Sequence, residues 1–134
     1  VGKMPELAKR YNKDKTEWDN FPLFLLEPLM KVAQFGTTKY EKFNFLKGGP
    51  QSQYLNSMKR HIRDYEDPRL PDEDWESGVN SLAHTAWNAL VAVYMLENHP
   101  ELDDRFKIVK NETMSTHTDI VGRINGDINK TTIE

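Results

Sequence analysis

The sequence predicts an all-α protein, a small helical bundle followed by a short C-terminal extension. Apolar residues recur at three- and four-residue spacing in three stretches between residues 22 and 98, the period of a helix with one buried face. The segments joining these stretches are rich in glycine, proline and aspartate, which end helices. A strand-like signal is confined to one short stretch of the tail. The 134 residues are the length of one ordinary domain.

Residues 1–20 are polar and charged and read as a lead-in segment that packs late or binds something. Residues 21–99 form the helical domain and residues 100–134 the extension. Pro28 suits the first turn of a helix, where its missing N–H costs little, and Leu29, Val32, Ala33, Gly36 and Tyr40 follow at helical spacing. Lys47-Gly48-Gly49-Pro50 is a loop. Ser52 is a candidate N-cap for a second helix with Leu55, Met58, Ile62 and Tyr65 on one stripe. The acidic run from Glu66 to Asp74 contains Pro68 and Pro71 and reads as a connection. A third helix is expected from about Glu76 to Glu97. It is apolar almost all round, as befits a buried central helix or an oligomer interface, so a homo-oligomer is expected. In the extension, Asn125-Gly126 between Ile120-Val121 and Ile128 is a β-hairpin signal.

Composition removes whole classes of function. Eighteen basic and 21 acidic residues give a net charge of −3, which argues against general nucleic-acid binding but leaves room for a local nucleotide pocket. The absence of cysteine excludes disulfides, thiolate nucleophiles, zinc–cysteine sites and iron–sulfur clusters. No apolar run reaches membrane-spanning length and the first residues lack an apolar signal core, so no membrane partner and a cytoplasmic location are expected. The mean hydropathy of −0.75 indicates that part of the length is not core.

Chemistry is suggested by polar residues on otherwise apolar helices. Ser81, His84 and Asn88 share a face of the third helix, with Ser77 one turn earlier. The second helix offers Ser57, Arg60, His61 and Asp64, and the first Glu27, Lys31, Gln34 and Thr38. Buried polar groups without partners cost about 1–3 kcal/mol each, so three such stripes facing one another can enclose a polar pocket. Singly, each has a plainer explanation: His84 as a core histidine, His61 as a boundary residue, Asp64 on a solvated face. The loop between helices one and two adds Lys39, Tyr40, Asn44, Phe45 and Lys47 beside two glycines, a composition able to hold phosphate and stack a base. It lacks the spacing of a Walker loop or a dinucleotide fingerprint.

The ordered set Trp18-Asp19-x-x-Pro22, Leu26-Glu27, Gly36-x-x-Lys39-Tyr40, Asn44-Phe45, Lys47-Gly48, Arg60-His61, Glu76-Ser77-Gly78 and Leu82-Ala83-His84-x-x-Trp87-Asn88 resembles the dATP/dGTP diphosphohydrolase-like family of phages and their hosts. That family looks like a distant relative of the all-α MazG-type nucleotide pyrophosphohydrolases. The resemblance covers about residues 15–98. It implies a MazG-like helical bundle that binds a purine nucleoside triphosphate and cleaves it between the α- and β-phosphates with Mg²⁺ or Mn²⁺. Carried onto this sequence, it makes Glu27, Asp64 and Glu76 candidate metal ligands, and His61, His84 and Asp64 candidate catalytic groups. Lys39, Tyr40, Asn44, Phe45, Lys47, Arg60, Ser81 and Asn88 become candidate substrate contacts. The sequence also departs from the pattern. MazG-type enzymes carry EExxE and a later ExxD, whereas this chain has Lys59-Arg60-His61-Ile62-Arg63-Asp64 and then Ser81 and His84. Relatives often have histidine at the position of Ser81 and tryptophan at that of Phe45.

Three readings follow. The first is a metal-dependent diphosphohydrolase producing a nucleoside monophosphate and pyrophosphate. The second is a non-catalytic sponge that sequesters a signalling nucleotide, cyclic or derived from ADP-ribose, and so blocks host immunity. The third is a structural module whose polar stripes set helix register.

Overall fold

The computed structural model describes residues 2–108. Three helices carry the fold: α1 (Glu27–Gly36), α2 (Gln51–Glu66) and α3 (Ser81–Asn98), with short 3-10 turns at Trp18–Asn20, Leu23–Leu26, Asn44–Lys47 and Pro100–Leu102. No strand occurs among the described residues, and a single antiparallel bridge joins Glu73 to Asn80. The all-α expectation holds. The Asn125-Gly126 hairpin signal lies outside the described residues. All three helices lie in one compact unit that ends at Asp104.

α3 is the centre of this unit. It packs extensively on α2 and more sparingly on α1. Its Ala83, Val91, Ala92 and Met95 are buried and, with Val32 of α1, make the core. That core is small, as the low hydropathy implies, and three polar residues are buried with it: Gln51, Ser81 and His84. Gln51 is satisfied across the helix pair, its Nε2 donating to the Ala92 carbonyl at 2.7 Å.

Helix boundaries differ from the expectation in three places. α1 stops at Gly36, four residues before Tyr40, because the Thr37 and Thr38 hydroxyls bond back to the Gln34 and Phe35 carbonyls and turn the chain. α2 begins at Gln51 behind Pro50, so Ser52 is not its N-cap. The capping is instead supplied from far along the chain: the Asp104 carboxylate accepts the Ser52 N–H at 2.8 Å and the Ser52 hydroxyl. α3 begins at Ser81, five residues later than Glu76, because Asn80 caps it by accepting the Leu82 N–H at 2.8 Å. α2 ends at Glu66 because Asp67 precedes Pro68, a position that disfavours helical backbone.

The residues thereby released from α3 form a tight loop. Ser81 N donates to the Asp72 carbonyl, Asp74 N to that of Val79, and Gly78 N to that of Asp74, each at 2.8 Å. Gly78 takes φ +72°, which a residue with a Cβ adopts only with strain. No described helix is long and apolar enough to cross a membrane.

Candidate functional site

Two histidines meet where α2 and α3 cross. The rings of His61 and His84 are stacked, with centroids 4.5 Å apart and planes inclined by 11°. Phe35, from the last turn of α1, meets His84 edge-on at 6.5 Å. The turn that ends α1 brings Lys39 back over Phe35, its ammonium 5.1 Å from the ring centre, and into an ion pair with Glu76. All three helices and the loop before α3 thus contribute to one cluster.

The loop is organised by Asp74. Its Oδ2 accepts the N–H groups of Ser77 at 3.0 Å and Glu76 at 3.1 Å, an Asx turn. Burial pushes the Asp74 carboxyl up, but the Ser77 N–H, the nearby His84 ring and the Glu76 N–H more than offset this and hold it below its ordinary value. The turn delivers Ser77, whose Oγ lies 2.6 Å from His84 Nε2 and accepts the Val79 N–H at 3.1 Å. The hydroxyl thus ties the His84 ring to the loop backbone through one hydrogen bond to each. Burial first, and the facing His61 second, hold His84 below its usual pKa, so it is neutral near pH 7.

His61 differs. Its Nδ1 is buried, lies 3.9 Å from Asp74 Oδ1, and has no hydrogen-bond partner among the described residues. A buried nitrogen in that condition costs about 1–3 kcal/mol, which a polar ligand atom within reach would relieve. The unsatisfied His61 nitrogen and the exposed Lys39 ammonium are the groups of this cluster that can take a further polar or anionic partner such as a phosphate.

The structure places the other candidates as follows. Ser81 is buried in the first turn of α3, and Asn88 donates to the His84 carbonyl at 2.8 Å, so the Asn88 amide serves the backbone of α3. Phe45 meets Trp87 and Tyr94 edge-on at 5.2 and 6.5 Å, so its ring is already packed. Asn44 opens the 3-10 turn that holds Phe45, and Tyr40 is exposed. Lys47 is exposed and pairs with Glu41. Arg60 is exposed, with no ion pair among the described residues. The polar stripe of α1 (Glu27, Lys31, Gln34 and Thr38) is exposed throughout, and α1 reaches the cluster through Phe35 and Lys39 instead. Sequence reasoning missed Asp74 and Phe35. The signal for Asp74 was Asp74-x-x-Ser77-Gly78, turn chemistry hidden in an acidic run.

A family model described as dATP/dGTP diphosphohydrolase, N-terminal, matches residues 5–105. The chain belongs to this family. A protein of Salmonella phage PMBT28 named dATP/dGTP diphosphohydrolase is 32% identical over 89 residues. Those residues are 63% of this chain and 30% of the phage protein, so the chain spans less than a third of that relative's length. No solved structure matches. For the diphosphohydrolase family the expected metal is Mg²⁺ or Mn²⁺, which takes hard oxygen ligands. Among the described residues no group of three or more histidines and carboxylates is arranged to hold a metal ion. Glu27 is exposed at the start of α1, Asp64 pairs with Arg63 at 2.9 Å, and Glu76 pairs with Lys39.

Proposed function

We propose that the His61–His84 cluster binds the phosphates of a purine deoxynucleoside triphosphate, and that the chain takes part in its hydrolysis to a monophosphate and pyrophosphate. The observation that carries this reading is the buried, unsatisfied His61 Nδ1, set between Asp74 and the stacked His84. The family supports the substrate class. In this reading Lys39 exchanges Glu76 for a phosphate oxygen and offsets charge on the departing pyrophosphate. The two imidazoles hold phosphate or the attacking water by hydrogen bonds, and Ser77 holds the His84 ring in place. The triphosphate enters as its Mg²⁺ or Mn²⁺ complex, the ion belonging to the substrate.

The second reading is the sponge, which binds a signalling nucleotide at the same cluster and releases it intact. The specific observation favouring it is in the sequence, where Lys59-Arg60-His61-Ile62-Arg63-Asp64 and then Ser81 and His84 stand in place of the EExxE and ExxD carboxylates. One experiment separates the two. The full chain is incubated with dATP, dGTP, other nucleoside triphosphates, cyclic nucleotides and ADP-ribose derivatives, with and without Mg²⁺ or Mn²⁺, and resolved by chromatography. Monophosphate and pyrophosphate from dATP or dGTP support the hydrolase. A nucleotide recovered unchanged after heat release supports the sponge. No turnover and no retained nucleotide refutes both.

A further inference from the structure

Two apolar surfaces are left open at places unrelated to the histidine cluster. The first is the outward face of α3. Leu82, Leu90, Val93 and Leu96 are 43–55% exposed and lie within one arc of the helix, with Ala86 between them. Along one side this face deepens into a groove lined by Phe45, Trp87, Leu90, Val93, Tyr94 and Glu97. The second is the N-terminal segment, where every residue from 2 to 25 is exposed. Met4, Leu7 and Tyr11 there are 77–86% exposed and, with Ala8, are spaced i, i+3, i+4 and i+7. That is the spacing of a helix with one apolar stripe, although residues 4–11 form no helix in this structure.

We propose that residues 4–11 fold as a short amphipathic helix in the α3 groove of a second copy of this chain, the two copies exchanging arms about a two-fold axis. Charge favours this pairing. Residues 3–15 hold five lysines and arginines against two carboxylates, whereas Glu97, at the groove edge, begins an eight-residue run with four carboxylates and no lysine or arginine. Length favours a second copy over the chain's own arm. Eight helical residues span about 12 Å, but the stripe from Leu82 to Leu96 runs for about 21 Å. A folded-back arm would leave half of it in water, whereas a second copy adds its own α3 face. Area agrees as well. Met4, Leu7 and Tyr11 present on the order of 500 Å² per copy, so two arms and two grooves approach the roughly 1,600 Å² of a stable interface.

The test uses the full chain, whose lack of cysteine makes site-specific cross-linking clean. Sedimentation at micromolar concentration should give twice the chain mass. Leu7→Asp with Tyr11→Asp should raise the dimer dissociation constant at least tenfold and lose helical circular dichroism only to the extent of the eight arm residues, since neither residue is in the core. Mixed Leu7→Cys and Val93→Cys single variants should be joined by a short bis-maleimide into a species of two chains. A monomeric wild type, a dimer indifferent to the arm substitutions, or cross-linking only within one chain of the double-cysteine variant would each overturn the proposal.

Discussion

The imidazole of His84 lies flat against that of His61 while its Nε2 faces the Ser77 hydroxyl at 2.6 Å, so one side chain joins α2, α3 and the loop before α3. Replacing it has two separable effects. His84→Ala should abolish nucleotide binding and should also cost about 1–3 kcal/mol, because Ser77 loses its partner inside the protein. Calorimetric titration with dATP or dGTP, beside thermal melting, checks both. A variant that melts lower yet handles nucleotide like wild type would make His84 a structural residue.

Lys39 and Glu76 form an exposed ion pair that contributes little to stability, since water screens both partners. Lys39→Ala should therefore weaken nucleotide binding with an almost unchanged melting temperature. Glu76→Gln should tighten binding several-fold, because Lys39 loses its competitor for the phosphate. Weaker binding or metal-dependent loss of turnover in Glu76→Gln would instead make Glu76 a ligand in its own right.

Acid should destabilise the protein in two steps. His84 has a folded pKa below its ordinary 6.5, so the unfolded chain binds more protons in that range, and stability falls as pH drops through about 6.5. Asp74 is held below its ordinary 3.8, so its contribution is lost as pH falls below about 4. Melting temperatures from pH 7.5 to 3 should show both, and His84→Gln should remove the upper step and weaken the lower one, because the His84 ring helps hold Asp74 down. A flat profile between pH 7.5 and 5 would contradict the neutral, buried His84.

Asp104 caps α2 from 52 residues away, and Ser52 holds its carboxyl below the ordinary range. Asp104→Ala should lower the melting temperature modestly and raise hydrogen exchange in the first turn of α2. An unchanged first turn would mean that water replaces the cap at no cost.

The helices were legible because apolar periodicity is a local property: Leu55, Met58 and Ile62 mark α2, and the apolar run after Val79 marks α3. His61 and His84 were legible as polar intruders on those helices. Their stacking was not, because the two residues are 23 apart in sequence and meet only through the way α2 and α3 cross. Asp74 escaped notice because the acidic run around Pro68 and Pro71 has the composition of a solvated link. Its role arises only when the backbone of Glu76 and Ser77 turns its N–H groups onto the carboxylate. For the same reason α3 looked five residues too long: Glu76, Ser77 and Gly78 fit a helical period but belong to the turn.

The sparse packing of α1 on α3 has a consequence for when the site exists at all. Val32 is the one buried residue of α1, and α1 packs on α3 far more sparingly than α2 does, so α1 is the helix whose opening breaks least packing between helices. Lys39 sits just beyond its end and Phe35 in its last turn. Each excursion of α1 removes the cation and one aromatic wall together, leaving the histidines in place on the better-anchored pair. A bound triphosphate held by Lys39 ties α1 down, so ligand occupancy becomes readable as slowed amide exchange in residues 27–36, remote from any bond the ligand itself makes with α2 or α3.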